Sequence, residues 1–86
     1  MAKEKLTISE KRILRELIFP EQFNHIVTET GFTYGTVRDD LIKLINHRFV
    51  DVMEEESVSQ STGFYDSDHI EDYQFKATKT GLKQIR

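Results

Sequence analysis

The sequence contains no cysteine, which excludes a disulfide framework and any metal site built from thiolates. It also lacks a run of about 18 apolar residues, the length that a membrane-spanning helix requires. The first residues, MAKEKLTISE, are charged where a secretory signal peptide would need an apolar core. These absences predict a cytoplasmic protein that does not associate with membranes.

Catalytic signatures are absent as well. The chain has neither a glycine-rich phosphate loop nor the G-x-S-x-G and H-E-x-x-H patterns of hydrolases and metalloproteases. Its 86 residues suffice for one small domain, which buries only about 60–65% of the surface that the unfolded chain exposes. We therefore expect a single domain, residues 1–86, that is not an enzyme and needs no cofactor.

Charge is unevenly distributed along the chain, although the net charge is only −3. Residues 51–75 contain eight Asp or Glu and no Lys or Arg, whereas residues 76–86 contain four Lys or Arg and no acid. An acidic block of this kind repels phosphate and attracts basic surfaces. The block is interpreted either as a solvated loop or as a surface for a basic partner.

Local signals predict two helices in the first third of the chain. Thr7 and Glu10 form the T-x-x-E pattern of a capping box at the start of a helix over residues 8–18. The single proline suits the first position of a second helix over residues 20–30, and Gly31 fits the left-handed residue that ends it. Both helices carry apolar residues at helical spacing and are expected to bury them.

A third helix is predicted over residues 34–47, with Thr33 as its N-cap. Its apolar residues share one face of the helix: Val37, Leu41, Leu44 and Ile45. The opposite face is expected to point outward: Gly35, Asp39, Ile42 and Asn46. Asp39 precedes Lys43 at i,i+4 spacing with the acid first, which predicts an ion pair on the helix surface.

After the third helix, the hydropathy pattern changes from the period of a helix to the alternation of a strand. Alternating residues on either side of the acidic block predict an antiparallel hairpin over residues 49–78 with a long acidic loop. Residues 79–86 are expected to form a short, basic C-terminal tail. The expected fold class is α+β, mainly α, with three helices followed by a two-stranded hairpin.

Two stretches resemble the winged helix-turn-helix family, in which three helices precede a β-hairpin called the wing. The segment FTYGTVRDDLIKLINHRFV, residues 32–50, is similar to the family's recognition helix and the start of its wing. The segment FKATKTG, residues 75–81, is similar to the aromatic-x-Leu-Thr-x-x-Gly motif that ends the wing in many small bacterial and archaeal regulators. Ala77 replaces the usual Leu, and Arg48 stands where Gly usually joins the recognition helix to the wing.

This resemblance implies a DNA-binding protein and transcriptional regulator, whose third helix enters the major groove while the wing contacts the DNA beside it. Hydroxyl and cationic side chains on that helix and at the wing base are the candidate contacts to double-stranded DNA. They are Thr33, Tyr34, Thr36, Arg38, Lys43, Lys76 and Lys79. Family members usually bind DNA as dimers, so a homodimer is a further expectation.

The acidic wing favours a second interpretation, a winged-helix module that binds a protein and not DNA. Its carboxylates would repel the phosphates of a duplex held within the Debye length of about 8 Å. The residues proposed for this protein interface combine negative charge with apolar side chains. They are Ile42, Glu54, Glu55, Glu56, Phe64 and Tyr65.

No metal site is expected from the histidines. His25 and His47 fall on predicted helices, and both are interpreted as lacking acidic ligands at metal-binding spacing. His69 lies among carboxylates between Asp66 and Asp72, but that segment has neither the glycine turn nor the final Glu of a calcium-binding loop. It is interpreted as a solvated loop.

Overall fold

The computed structural model describes residues 5–54, 61–62 and 67–85. Within these ranges lie four α-helices, four strands and one 3-10 segment. In chain order they are α1 Ile8–Glu16, β1 Glu21–Gln22, α2 Phe23–Thr30, α3 Tyr34–Asn46, β2 Val50–Glu54, β3 Ser61–Thr62, the 3-10 segment Ser67–Asp72, β4 Tyr73–Ala77 and α4 Lys79–Lys83. The predicted α+β class with a mainly helical content is confirmed.

The predicted capping box begins α1. Thr7 Oγ1 accepts a hydrogen bond from the amide of Glu10 at 3.1 Å, and Glu10 Oε1 accepts one from the amide of Thr7 at 2.7 Å. Two amide groups that have no partner within the helix are satisfied in this way. The helix ends at Glu16, two residues before the predicted end.

The second helix begins later than predicted. Residues 20–30 were expected to be helical from the proline onward, but α2 starts at Phe23 because β1 pairs with β4. Glu21 lies opposite Phe75 in this pairing, so sheet formation overrides the local preference for a helix start. The predicted end is confirmed: Gly31 has a φ of 73°, the left-handed conformation that glycine adopts without a steric penalty.

The third helix is capped as predicted. Thr33 Oγ1 accepts from the amide of Thr36 at 3.2 Å. After the helix, Arg48 has a φ of 62°. A residue with a Cβ atom is strained in this conformation by about 1–2 kcal/mol, and glycine is not.

The sheet is antiparallel and larger than the predicted hairpin. The strand order is β1-β4-β2-β3, so the two-stranded prediction missed one short strand on each side. The central pair β2–β4 has a continuous register from Val50 opposite Ala77 to Glu54 opposite Tyr73. The predicted hairpin strands are therefore present at the centre of the sheet.

Hydrogen bonds of Thr78, which follows β4, connect the end of the sheet to the residues after α3. The amide of Thr78 donates to the carbonyl of Phe49 at 2.9 Å, and Thr78 Oγ1 donates to the carbonyl of Arg48 at 2.8 Å. Gly81, in α4, approaches the backbone of Phe49 so closely that a Cβ atom there would lie 2.1 Å from the Phe49 carbonyl oxygen. A side chain at this position would therefore force the two elements apart.

The helices and one face of the sheet enclose a common core. Nine side chains from α1, α2, α3, β4 and the residue after α1 have no exposed surface: Ile13, Leu14, Leu17, Phe23, Ile26, Val37, Leu41, Leu44 and Phe75. Burying each of these contributes about 1.5–3 kcal/mol relative to leaving it in water. Within the described ranges, every helix is too short or too polar to span a lipid bilayer.

Within the acidic block, residues 67–72 form a 3-10 segment packed on the core and not the predicted solvated loop. Ile70 in this segment is fully buried and anchors residues 67–72 to the core. The neighbouring Glu71 and Asp72 remain exposed. The backbone that carries Glu71 and Asp72 is therefore packed against the domain next to Ile70.

Candidate interface on the third helix

The exposed face of α3 runs along the outside of the domain. It consists of Gly35, Asp39, Lys43 and Asn46. Ile42 was predicted on this face but is only partly exposed and packs against the core. The prediction was wrong because the side chain of Ile42 packs against the core, whereas the side chain of Lys43 is exposed.

The leading end of α3 carries three hydroxyl groups. Thr33 and Thr36 bond to each other, with Oγ1 atoms 3.0 Å apart. The ring of Tyr34 packs against Phe23 with a centroid distance of 4.9 Å, and its hydroxyl donates to Glu71 at 2.9 Å. These three predicted DNA contacts are thus brought together at one end of the helix, with an acidic neighbour.

The two predicted cations of α3 each have an acidic partner. Arg38 lies 3.5 Å from Asp39, and Lys43 Nζ lies 3.3 Å from Glu10 Oε2. The predicted ion pair between Asp39 and Lys43 is therefore replaced by a pair that joins α3 to α1. The reason is burial: the Glu10 side chain is 1% exposed, whereas Asp39 is 76% exposed. A buried carboxylate needs a counter-ion far more than an exposed one does.

A second link between α1 and α3 lies beside this pair. Ser9 Oγ donates to Asp40 Oδ2 at 2.6 Å. Burial raises the pKa of the Asp40 carboxyl above its ordinary value. The hydrogen bond from Ser9 lowers this pKa, but its effect is smaller than that of burial. The position of α3 relative to α1 is therefore fixed by polar contacts as well as by the apolar core.

Three cations are exposed near the junction between α3 and the central hairpin of the sheet. Lys76 and Lys79 were predicted from the sequence, and Arg48 was missed. All three lie close to Thr78, which bonds to the Arg48 carbonyl. In the sheet, Lys76 lies opposite Asp51. The signal that could have identified Arg48 is its place at the junction between the helix and the strand.

The acidic 3-10 segment lies at the opposite end of α3. Its Glu71 carboxylate accepts a hydrogen bond from the hydroxyl of Tyr34. A backbone hydrogen bond within the segment and, secondly, the bond from Tyr34 lower the pKa of Glu71. Negative charge is therefore held beside the leading end of the helix. The side chain of Glu54 and the whole of Glu55, Glu56, Phe64 and Tyr65, which belong to the predicted protein interface, lie outside the described residues.

One prediction about the histidines was wrong. His25 has an acidic residue at i,i+4 spacing on each side, Glu21 before it and Glu29 after it. In the folded chain, ligand atoms of Glu16, His25 and Glu29 all lie within 4.8 Å of one another. The spacing around His25 was visible in the sequence, but the approach of Glu16 depends on the packing of α1 against α2.

No protein-family model, curated protein or solved structure matches this chain.

Proposed function

We propose that this chain is a winged helix-turn-helix domain that binds double-stranded DNA as a cytoplasmic transcriptional regulator, without catalytic activity. The exposed face of α3 would lie in the major groove, and the base of the wing would contact the phosphates beside it. The observation that carries the proposal is the order of exposed groups along the chain. The exposed face of α3 is followed by the exposed Arg48, by a hairpin whose strand β4 carries the exposed Lys76, and by the exposed Lys79 at the start of α4.

The helix face has the chemistry for a groove contact. Gly35 has open space around the position of a Cβ atom, so the backbone can approach a base pair closely. Arg38 can pair with the O6 and N7 atoms of guanine once its exposed ion pair with Asp39 opens, which is a small free-energy cost. The hydroxyls of Thr33 and Thr36 lie at the helix N-terminus, where backbone amides favour a phosphate.

The wing base supplies the non-specific part of the affinity. Lysine side chains that neutralise phosphates release counter-ions, so the logarithm of the binding constant falls with the logarithm of salt concentration by about 0.9 per phosphate contacted. Replacing Lys76 and Lys79 together by glutamine should therefore reduce the magnitude of this slope by up to about 1.8.

The experiment is a fluorescence-anisotropy titration of labelled duplex fragments at several salt concentrations. The matched control is Lys5→Gln with Lys11→Gln, two exposed lysines at the start of the chain and on α1, remote from the wing base in sequence. The control pair should keep the slope of the unmodified protein. Absence of binding to any duplex at about 50 mM salt, or an equal effect of both pairs, would refute the proposal.

A protein-binding module is the second candidate, and one observation favours it. The acidic 3-10 segment lies beside the leading end of α3 through the Tyr34–Glu71 hydrogen bond, where it would repel phosphate. Asp72→Asn and Asp39→Asn distinguish the candidates, because both side chains are exposed. If the surface binds DNA, removing either charge should raise the affinity for a duplex. If the surface binds a basic protein partner, neither change should create duplex binding.

A further inference from the structure

Three metal-ligating side chains meet between α1 and α2, outside the interface described above. Ligand atoms of Glu16, His25 and Glu29 lie within 4.8 Å of one another, and the cluster combines one imidazole with two carboxylates. We propose that these residues form a binding site for a divalent transition-metal ion of the zinc class. The ion would join the end of α1 to α2.

The donor set selects the class of ion. Imidazole nitrogen together with carboxylate oxygen suits zinc and its neighbours, whereas calcium requires six to eight oxygen ligands, a larger set than two carboxylates provide. Zinc takes three protein ligands in tetrahedral sites that leave a fourth position for water. Glu16, His25 and Glu29 supply those three ligands.

The geometry requires only side-chain movement. Bonds of about 2.0–2.2 Å to a tetrahedral ion place the ligand atoms about 3.3–3.6 Å apart. The present separations, up to 4.8 Å, can close by rotation of partly or fully exposed side chains. His25 and Glu29 are held at i,i+4 spacing on one helix, and α1 supplies Glu16. No change in the packing of the helices is needed.

The local charge already attracts a cation. The guanidinium group of Arg12 contacts the Glu16 carboxylate and also donates to the backbone carbonyl of Glu29 at 3.1 Å. A third acidic group, Glu21, lies 3.4 Å from the imidazole of His25. Within the described ranges, no hydrogen bond or ion pair occupies the Glu29 carboxylate. The Arg12 side chain is 40% exposed, so it can move into solvent when a metal ion binds.

Competition with Arg12 gives the site a distinctive signature. Removing the guanidinium group, as in Arg12→Gln, should strengthen metal binding, by up to roughly fivefold for the loss of one exposed ion pair. A surface that binds metal through unrelated acidic side chains would not respond to this change. Acidification should weaken binding, because zinc binds the neutral form of imidazole.

The test is calorimetric titration of chelator-treated protein with zinc chloride at about pH 7.5 and about pH 5.5. One ion per chain should bind at the higher pH. His25→Gln and Glu29→Gln should each weaken binding by more than about tenfold. The matched controls are His47→Gln and His69→Gln, which should leave the affinity within about twofold. Circular dichroism of each variant verifies that the fold is retained, which is expected at the exposed His25, Glu29 and His69 and is checked with particular care at the partly buried His47.

Two results would overturn the site. The first is unchanged zinc affinity in both His25→Gln and Glu29→Gln. The second is a loss of binding only in His69→Gln, which would place the ion in the acidic 3-10 segment. None of these measurements involves DNA, so the metal site and the proposed interface on α3 can fail independently.

Discussion

Lys43 is predicted to stabilise the fold in addition to any contact with DNA, because it is the counter-ion of a buried carboxylate. Its ammonium group lies 3.3 Å from Glu10 Oε2, and the Glu10 side chain is 1% exposed while Lys43 is 52% exposed. Removing one partner of a fully buried ion pair costs about 3–5 kcal/mol. Because half of the Lys43 side chain is in solvent, water replaces part of the lost interaction. We therefore expect Lys43→Met to lower the free energy of unfolding by about 1–2 kcal/mol.

Urea denaturation followed by far-ultraviolet circular dichroism measures this change. The loss corresponds to a decrease in melting temperature of about 4–8 °C for each kcal/mol in a domain of this size. Lys11→Met is the matched control, since Lys11 is an exposed lysine on α1, and it should change the stability by less than about 0.5 kcal/mol.

A double-mutant cycle isolates the ion pair from other effects of the substitution. In a Glu10→Gln background the partner of Lys43 is neutral, so Lys43→Met should cost less than about 0.5 kcal/mol. An equal loss of stability in the two backgrounds would refute the reasoning, because the effect would then come from side-chain packing and not from the buried charge.

The remaining predictions concern backbone geometry and pH. Gly81→Ala should destabilise the protein by more than about 2 kcal/mol in the same denaturation assay, because its Cβ atom would overlap the Phe49 carbonyl. Gly35→Ala should stabilise α3 by about 0.5–1 kcal/mol, because the space around the added Cβ atom is open. Arg48→Gly should raise stability by about 0.5–1 kcal/mol by relieving the positive φ, and a decrease would show that the arginine side chain contributes more than the strain. Burial raises the pKa of Asp40, so the folded state binds a proton at this carboxyl more tightly than the unfolded chain does. The free energy of unfolding should therefore gain a contribution from Asp40 as the pH falls through the raised pKa towards the usual value of 3.8. Asp40→Asn should remove this contribution from the pH dependence of stability.

Features that depend on neighbouring residues could be predicted from the sequence. The capping box of Thr7 and Glu10, the cap at Thr33 and the left-handed Gly31 are all present. Each is specified within a few positions of the chain, because the hydrogen bonds of a helix end involve only adjacent turns. The two central strands also followed from alternation of apolar residues.

Features that depend on distant residues could not be predicted. The start of α2 was misplaced because the strand at Glu21 exists only through its pairing with β4. Lys43 was assigned to Asp39, its neighbour on the helix, since the burial of Glu10 becomes apparent only when α1 packs against α3. The docking of the acidic 3-10 segment likewise depends on the burial of Ile70. Sequence reasoning identified these charges but not their partners.

At the candidate interface, too, the sequence predicted the side chains themselves but not the contacts they make with distant residues. The hydroxyls at the start of α3 and the two lysines around Thr78 were named from the sequence, and both groups are exposed or partly exposed. Their acidic neighbours were only partly foreseen. The carboxylate beside the leading end of the helix comes from Glu71, whose contact with Tyr34 joins segments far apart in the chain. This contact places a carboxylate beside the hydroxyls that are proposed to meet phosphate.

The most direct test of the central claim is a nuclear magnetic resonance titration of the ¹⁵N-labelled protein with a duplex at low salt. Binding in the proposed mode should shift the amide signals of Gly35, Arg38 and Asn46 on the helix and of Lys76 and Lys79 at the wing base, while the signals of the α1 surface remain in place. Shifts confined to α1 and α2, or no shifts at any duplex concentration, would contradict the account.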